Sequence, residues 1–234
     1  MNILITGASR GLGCEMAAAA LERGHAVIAG VRASGADNDK LTALAAAYGS
    51  RMTIAELEVT DEAGIARLAG QLQAEGRTLG AIVNNAAILT ARSTPIERLD
   101  MDAVVKSFDV NLFGPMRVVK HMLPLLTVKG ASIINISSEA GSMTNAYPGD
   151  YPYAISKSAL NMFGEQLHAY VRDRGIQVLS VHPGWMKTDM GGENAPTDPR
   201  QSANGILDLI ERKIVPDASS KFHFVDYTGK MMPI

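Results

Sequence analysis

Cysteine occurs once among the 234 residues, as Cys14. A single thiol cannot close an internal disulfide, so the fold must rest on its core, and a reducing compartment suits it. Cys14 itself reads as a small packing residue rather than a reactive thiol. Aromatic residues are scarce, at 5%, with one tryptophan, Trp185. No run of residues approaches the ~20 apolar positions that cross a bilayer, so no membrane contact is expected. Dense Lys/Arg runs are missing and the formal charge is −2, which argues against a nucleic-acid partner. The five histidines show no metal-ligand spacing, so no metal is expected. The first residues carry no basic stretch followed by an apolar run of the kind a secretory signal has. The expected location is the cytoplasm.

What the chain does contain is apolar material, 47% of it, arranged in short runs separated by helical patterns. Ile3–Ile5, Ala26–Val31, Met52–Glu58, Gly80–Asn84, Ala131–Ser137, Ile176–His182 and Lys221–Val225 read as strands. Cys14–Leu21, Asp39–Tyr48, Asp61–Glu75, Met101–Leu126, Tyr153–Asp173 and Ser202–Lys213 read as helices, the long one bent near Gly114-Pro115 and Pro124. The strands are apolar on both faces, which marks a parallel sheet covered by helices on each side. The fold class expected is α/β: one doubly wound Rossmann domain over 1–234, with seven parallel strands. In such a sheet ligands sit beyond the carboxyl ends of the strands, so the loops there should carry the chemistry.

The first of those loops is Thr6 to Gly13, with glycines at 7, 11 and 13, between a strand and an Ala-rich helix. Gly7 would let the chain turn off the strand, Gly11 would let backbone approach a pyrophosphate, and Gly13 would let the helix pack close to the sheet. The helix start then offers free N–H groups to phosphate. Later loops carry Asn84-Asn85-Ala86-Ala87, Ser137-Ser138-Glu139, Tyr153-Ala154-Ile155-Ser156-Lys157 and Pro183-Gly184-Trp185-Met186-Lys187-Thr188, while Asn111 lies in the long helix. Tyr153 and Lys157 stand on one helix face. A nearby ammonium and a positive helix end would lower a phenol from its usual pKa of about 10, making Tyr153 a general acid or base. Tyr147 and Tyr151 lack a lysine at that spacing.

In this order the motifs resemble the classical short-chain dehydrogenase/reductase family from end to end. The 183–192 stretch is similar to the subgroup of sniffer-type carbonyl reductases and C-factor-like proteins. The resemblance implies an oxidoreductase acting on CH–OH or carbonyl groups, with Asn111, Ser138, Tyr153 and Lys157 catalytic. Ser138 would hydrogen-bond the substrate oxygen, Lys157 would hold the nicotinamide ribose, and Asn111 would hold a water linking Lys157 to solvent. Cofactor contacts would come from Gly7, Ser9, Arg10, Gly11, Leu12, Gly13, Arg32, Glu58, Val59, Asn84, Ala86, Tyr153, Lys157, Pro183, Gly184, Met186 and Thr188. Glu58 and Ala87 depart from the family's Asp and Gly at those points. The second strand ends in Val31-Arg32 where NAD-binding members carry an acid, and Arg10 projects from the glycine turn. Both guanidiniums suit a 2′-phosphate, so NADP(H) is expected over NAD(H), with Asp37 or Asp39 as the alternative that would serve NAD.

Met143, Tyr147, Trp185, Met186 and Met190 are expected to line an apolar, adaptable pocket for a small ketone or aldehyde. The substrate loop, near 185–204, includes a Gly/Asn/Pro stretch that reads as a lid. A homodimer, or a tetramer built on it, is implied through the two long helices. The other reading is a dinucleotide-binding signalling protein of the C-factor kind with little turnover; an extended-family epimerase does not fit the glycine spacing.

Overall fold

The computed structural model describes residues 1–32, 38–127, 129–217 and 219–234. Seven strands form one sheet: β1 (Asn2–Thr6), β2 (Ala26–Val31), β3 (Met52–Glu56), β4 (Ala81–Asn84), β5 (Ser132–Ile136), β6 (Gln177–His182) and β7 (Phe224–Asp226). Their order is β3-β2-β1-β4-β5-β6-β7, and every pairing is parallel. The chain runs outward from β1 in one direction and then returns to place β4 on its other side. The strand order therefore reverses between β1 and β4, and their carboxyl ends open a crevice there.

Helices cover both faces because alternate strand residues point opposite ways. Ile3 and Ile5 of β1 pack with α1 (Gly11–Glu22), α2 (Asp39–Tyr48) and α7 (Pro199–Ile210), through Met16, Leu41 and Ile206 among others. Leu4, between them, packs on the other face with α3 (Glu62–Ala74), α5 (Gly114–Met122) and α6 (Tyr151–Val171), through Ile65, Val118 and Leu167. A buried apolar cluster covers each face of the sheet, which is why these strands show no regular polar alternation. Among the described residues no helix is long and apolar enough to cross a membrane.

The single long helix expected over 101–126 is instead three pieces: α4 (Met101–Phe108), a wide π turn at Asp109–Phe113, and α5. Pro115 has no N–H for the carbonyl one turn back, at Asn111, so regular α bonding cannot pass through. Gly114 lies against Val59, where a Cβ would come within 2.9 Å of that side chain. The third strand stops at Glu56, two residues short of the expected end, although Leu57 still donates to the Val31 oxygen at 2.7 Å. Helix α6 starts two residues early, at Tyr151, with Pro152 in its first turn, and α7 starts at Pro199, where Asp198 accepts from the Arg200 N–H at 2.8 Å.

Candidate active site

The glycine turn is built as its spacing predicts. Gly7 has φ +64°, and a Cβ on it would stand 2.9 Å from Ala86 Cα. Gly11, with φ +54°, begins α1. A Cβ on Gly13 would stand 2.4 Å from the Gly7 oxygen and 2.7 Å from Asn85 Nδ2. Asn85, absent from the sequence-derived set, ties this turn to the loop after β4. Its Nδ2 donates to the Thr6 and Gly7 oxygens at 2.9 and 3.1 Å, and Thr6 Oγ1 accepts from the N–H groups of Asn85 and Ala86.

A cleft of about 610 Å³ runs over this turn. Gly7, Ser9, Arg10, Gly11, Leu12, Val31, Arg32, Glu58, Val59, Ala86 and Ala87 line one part, and Tyr153, Lys157, Pro183, Met186 and Thr188 the other. Three expected contacts are not among its lining. Asn84 is buried in the sheet, where its Nδ2 donates to Asn135 Oδ1 at 2.8 Å. Gly13 serves packing, and Gly184 lines a neighbouring cleft. Arg10 also differs from expectation: it forms a 2.8 Å ion pair with Asp189, just after Thr188, across the cleft mouth. Both partners are more than 70% exposed, so the pair adds little stability. Glu58 folds its carboxylate back to accept from the Thr60 N–H at 3.2 Å. Asp37 lies outside the described residues, and Asp39 opens α2. The cradle fits a dinucleotide: Gly7 and Gly13 leave no room for side chains, Gly11 has left-handed backbone, and Arg32 stands at the end of β2.

A second cleft, of about 410 Å³, meets the first at Tyr153, Met186, Thr188 and Met190. Ser138 faces it, and the Ser138 hydroxyl also accepts from the Ala140 N–H at 3.2 Å, fixing the turn after β5. Lys157, one turn beyond Tyr153 on α6, is buried; its Nζ donates to the Ile136 oxygen at 2.7 Å and lies 5.5 Å from the centre of the Tyr153 ring. Burial pushes the Lys157 ammonium down to about 7. Asn111 is fully buried in the π turn. Its Oδ1 accepts from the Ile88 N–H at 2.8 Å, and its Nδ2 donates to the Ile88 oxygen and to Ser156 Oγ at 2.9 and 3.0 Å.

The Tyr153 phenol is raised, not lowered as the spacing suggested. Burial is the largest cause, and hydrogen bonding by Ser138 and the positive charge of Arg92 oppose it. The Lys157 ammonium is turned to the Ile136 oxygen and is itself depressed by burial, and the groups that oppose desolvation of the phenol are Ser138 and Arg92.

Tyr147, Trp185 and Met190 line the second cleft as expected, but Met143 does not; it is 73% exposed at the protein surface. Tyr147 donates to Asp150 at 3.1 Å, and burial with that carboxylate pushes its phenol up to about 12. Tyr151 lines neither cleft. The pocket is also less apolar than predicted: Arg92, Glu139, Asn145 and His182 share its wall. The loop after β6 is stitched to itself, Trp185 donating to the Gly191 oxygen at 2.8 Å and Thr197 to the Trp185 oxygen at 3.1 Å.

The chain belongs to the short chain dehydrogenase family, whose sequence pattern matches residues 1–199. It is 32% identical, over 97% of both chains, to a 1-hydroxy-2-glutathionyl-2-methyl-3-butene dehydrogenase of Rhodococcus sp. (strain AD45). The fold superposes on the carbonyl reductase Sniffer of D. melanogaster with a TM-score of 0.90 and 30% identity, covering 100% of this chain and 99% of that one. An NADPH-bound carbonyl reductase from chicken fatty liver gives a TM-score of 0.87 at 30% identity, with 100% and 98% covered. The protein is thus an oxidoreductase of a family that works on alcohol and carbonyl groups.

Proposed function

We propose that the protein is an NADPH-dependent carbonyl reductase, reducing a small ketone or aldehyde to an alcohol, and reversibly so. The observation that carries this reading is the position of Tyr153, whose side chain borders both clefts with Ser138 beside it. When bound, the nicotinamide supplies the hydride. The chain supplies the rest. Ser138 donates a hydrogen bond to the carbonyl oxygen, where charge develops. Tyr153 gives that oxygen its proton, and a phenol kept protonated by burial is suited to the role of acid. Lys157 and Thr188 would hold the nicotinamide end, the glycine turn the pyrophosphate, and Arg32 a 2′-phosphate.

A protein that only bound the dinucleotide would need no proton donor at the junction of two clefts. The NADPH-bound state of the chicken enzyme supports NADP(H), as does Val31, which offers no carboxylate to repel a phosphate. A cytoplasmic setting suits the free, buried thiol of Cys14. The partner is a second copy of the chain: Met101 and Val105 on α4 and Ile155, Met162 and Tyr170 on α6 all expose apolar surface. Mixing the protein with NADPH and a panel of aldehydes, ketones and quinones should give loss of nicotinamide absorbance. No turnover on any of them would refute the reductase reading.

A further inference from the structure

Arg92 stands in the wall of the substrate cleft, and the reaction as derived has no use for it. Its placement is specific. The residues on either side, Ala91 and Ser93, both have left-handed backbone, φ +51° and +54°, which side chains other than glycine rarely adopt. The strained loop is pinned to the start of α6: the Ser93 N–H donates to Asp150 Oδ1 at 3.0 Å, and the Thr94 N–H to the Gly149 oxygen at 3.2 Å. The backbone that follows Arg92 is thereby held against the start of the helix that carries Tyr153. Arg92 lines the same cleft as Tyr153 and Tyr147, and its positive charge opposes the rise that burial imposes on both phenols.

The guanidinium is also under-used. Nη2 donates to the Met190 oxygen at 3.1 Å, across the cleft, and among the described residues no carboxylate lies within ion-pair distance. The acids nearby are otherwise engaged. Asp150 accepts from the Ser93 N–H and the Tyr147 hydroxyl, and Glu139 accepts from Asn145 Nδ2 at 3.2 Å. An exposed planar cation with spare donors, in the wall of a cleft that Tyr153 also lines, matches an oxyanion.

We propose that Arg92 is a specificity-determining residue that binds an anionic group on the substrate, so that the cleft takes a carbonyl compound carrying a carboxylate or sulfonate. This deepens the reductase reading and rests on it for the carbonyl, though not for the anion. His182 lines the same cleft: its Nδ1 accepts from the Glu139 N–H at 3.2 Å, which leaves Nε2 to donate, and burial lowers the pKa of the ring.

The test compares 4-carboxybenzaldehyde with its methyl ester, both with NADPH, in the wild type and in Arg92→Gln. The wild type should favour the carboxylate in kcat/KM by about ten-fold or more, the range a charge-assisted pair supplies. The ratio should fall to about one in Arg92→Gln and recover in part in Arg92→Lys. Trp185 lines the same cleft and is the sole tryptophan, so its fluorescence reports binding without turnover. Benzoate should perturb it at lower concentration than benzamide in the wild type, and added salt should weaken benzoate alone. Equal response to the two probes, or an ester preference in the wild type, would overturn the proposal even if the Gln variant failed to fold. Benzoate binding without reduction of either aldehyde, or of any carbonyl in the wider panel, would refute the reductase reading and leave the anion site standing. Turnover of the ester with no preference for the carboxylate would do the reverse.

Discussion

Lys157 donates from its buried Nζ to the main-chain oxygen of Ile136, at 2.7 Å, and so joins α6 to the end of β5. One side chain thus serves two ends: it fixes α6 against the sheet and places its Nζ 5.5 Å from the centre of the Tyr153 ring. The cation is desolvated, and folding has a cost that depends on pH.

The sign follows from linkage. Lys157 titrates near 7 in the folded protein and near 10.5 when unfolded. Between those values the unfolded chain holds a proton that the folded one lacks, so stability rises with pH. His168 and His182, both lowered from 6.5, contribute their own rise below that pH, and the raised Cys14, Tyr153 and Tyr147 act only near pH 9 and above. Urea midpoints of the cofactor-free protein should therefore climb from pH 7 to 8.5, by up to about 1.4 kcal/mol per pH unit. In Lys157→Met the climb should be lost. A flat wild-type profile would mean that the lysine is charged in the folded state.

Gly13→Ala should destabilise the protein by about 1–3 kcal/mol and weaken dinucleotide binding, because the added methyl meets the Gly7 oxygen at 2.4 Å and backbone cannot yield there. Gly70→Ala is the matched control, in the middle of α3 with open space around its Cβ position. It should stabilise by about 0.5–1 kcal/mol. Thermal melts of the two variants should move in opposite directions.

NADPH should bind about ten-fold tighter than NADH or better, as expected for a guanidinium on a phosphate. Arg32→Ala should remove most of that margin with little effect on NADH, and Val31→Asp should reverse it. Arg10→Ala should matter less than Arg32→Ala, since Arg10 is held by Asp189. Equal dissociation constants for the two cofactors in the wild type would contradict the assignment of Arg32.

The exposed apolar residues of α4 and α6 should be covered in solution. Light scattering at micromolar concentration should give about twice the 24.9 kDa of one chain. Ile155→Glu with Met162→Glu should halve it. A wild-type mass equal to one chain would remove the dimer.

The parallel strands, the glycine turn and the Tyr153–Lys157 pair were legible because each depends on local pattern: apolar runs, glycine spacing and helical periodicity; Ser138 came from the family resemblance. What was not legible depends on contacts made through space. The π turn that buries Asn111 arises from Pro115 and from the packing of Gly114 on Val59, and a 3.6-residue period smooths it into one helix. Asn84 looks like a loop residue until its pairing with Asn135 in the sheet is seen. Met143 falls near the site in sequence, yet its loop turns it to the surface. Arg92 carried no motif at all; two left-handed neighbours and the Asp150 carboxylate give it its place. Asn85 was hidden between Asn84 and Ala86, although a second amide directly before a cofactor loop was a signal that could have been followed.

The central claim is that Tyr153 is the proton donor to the carbonyl. Single-turnover reduction by bound NADPH in Tyr153→Phe, with the NADPH dissociation constant measured in parallel, tests it most directly. The account predicts that reduction falls by well over ten-fold, more than about 1.4 kcal/mol in the barrier, while NADPH affinity stays within about two-fold and Tyr151→Phe behaves as wild type. Reduction by Tyr153→Phe at more than about a tenth of the wild-type rate would contradict it.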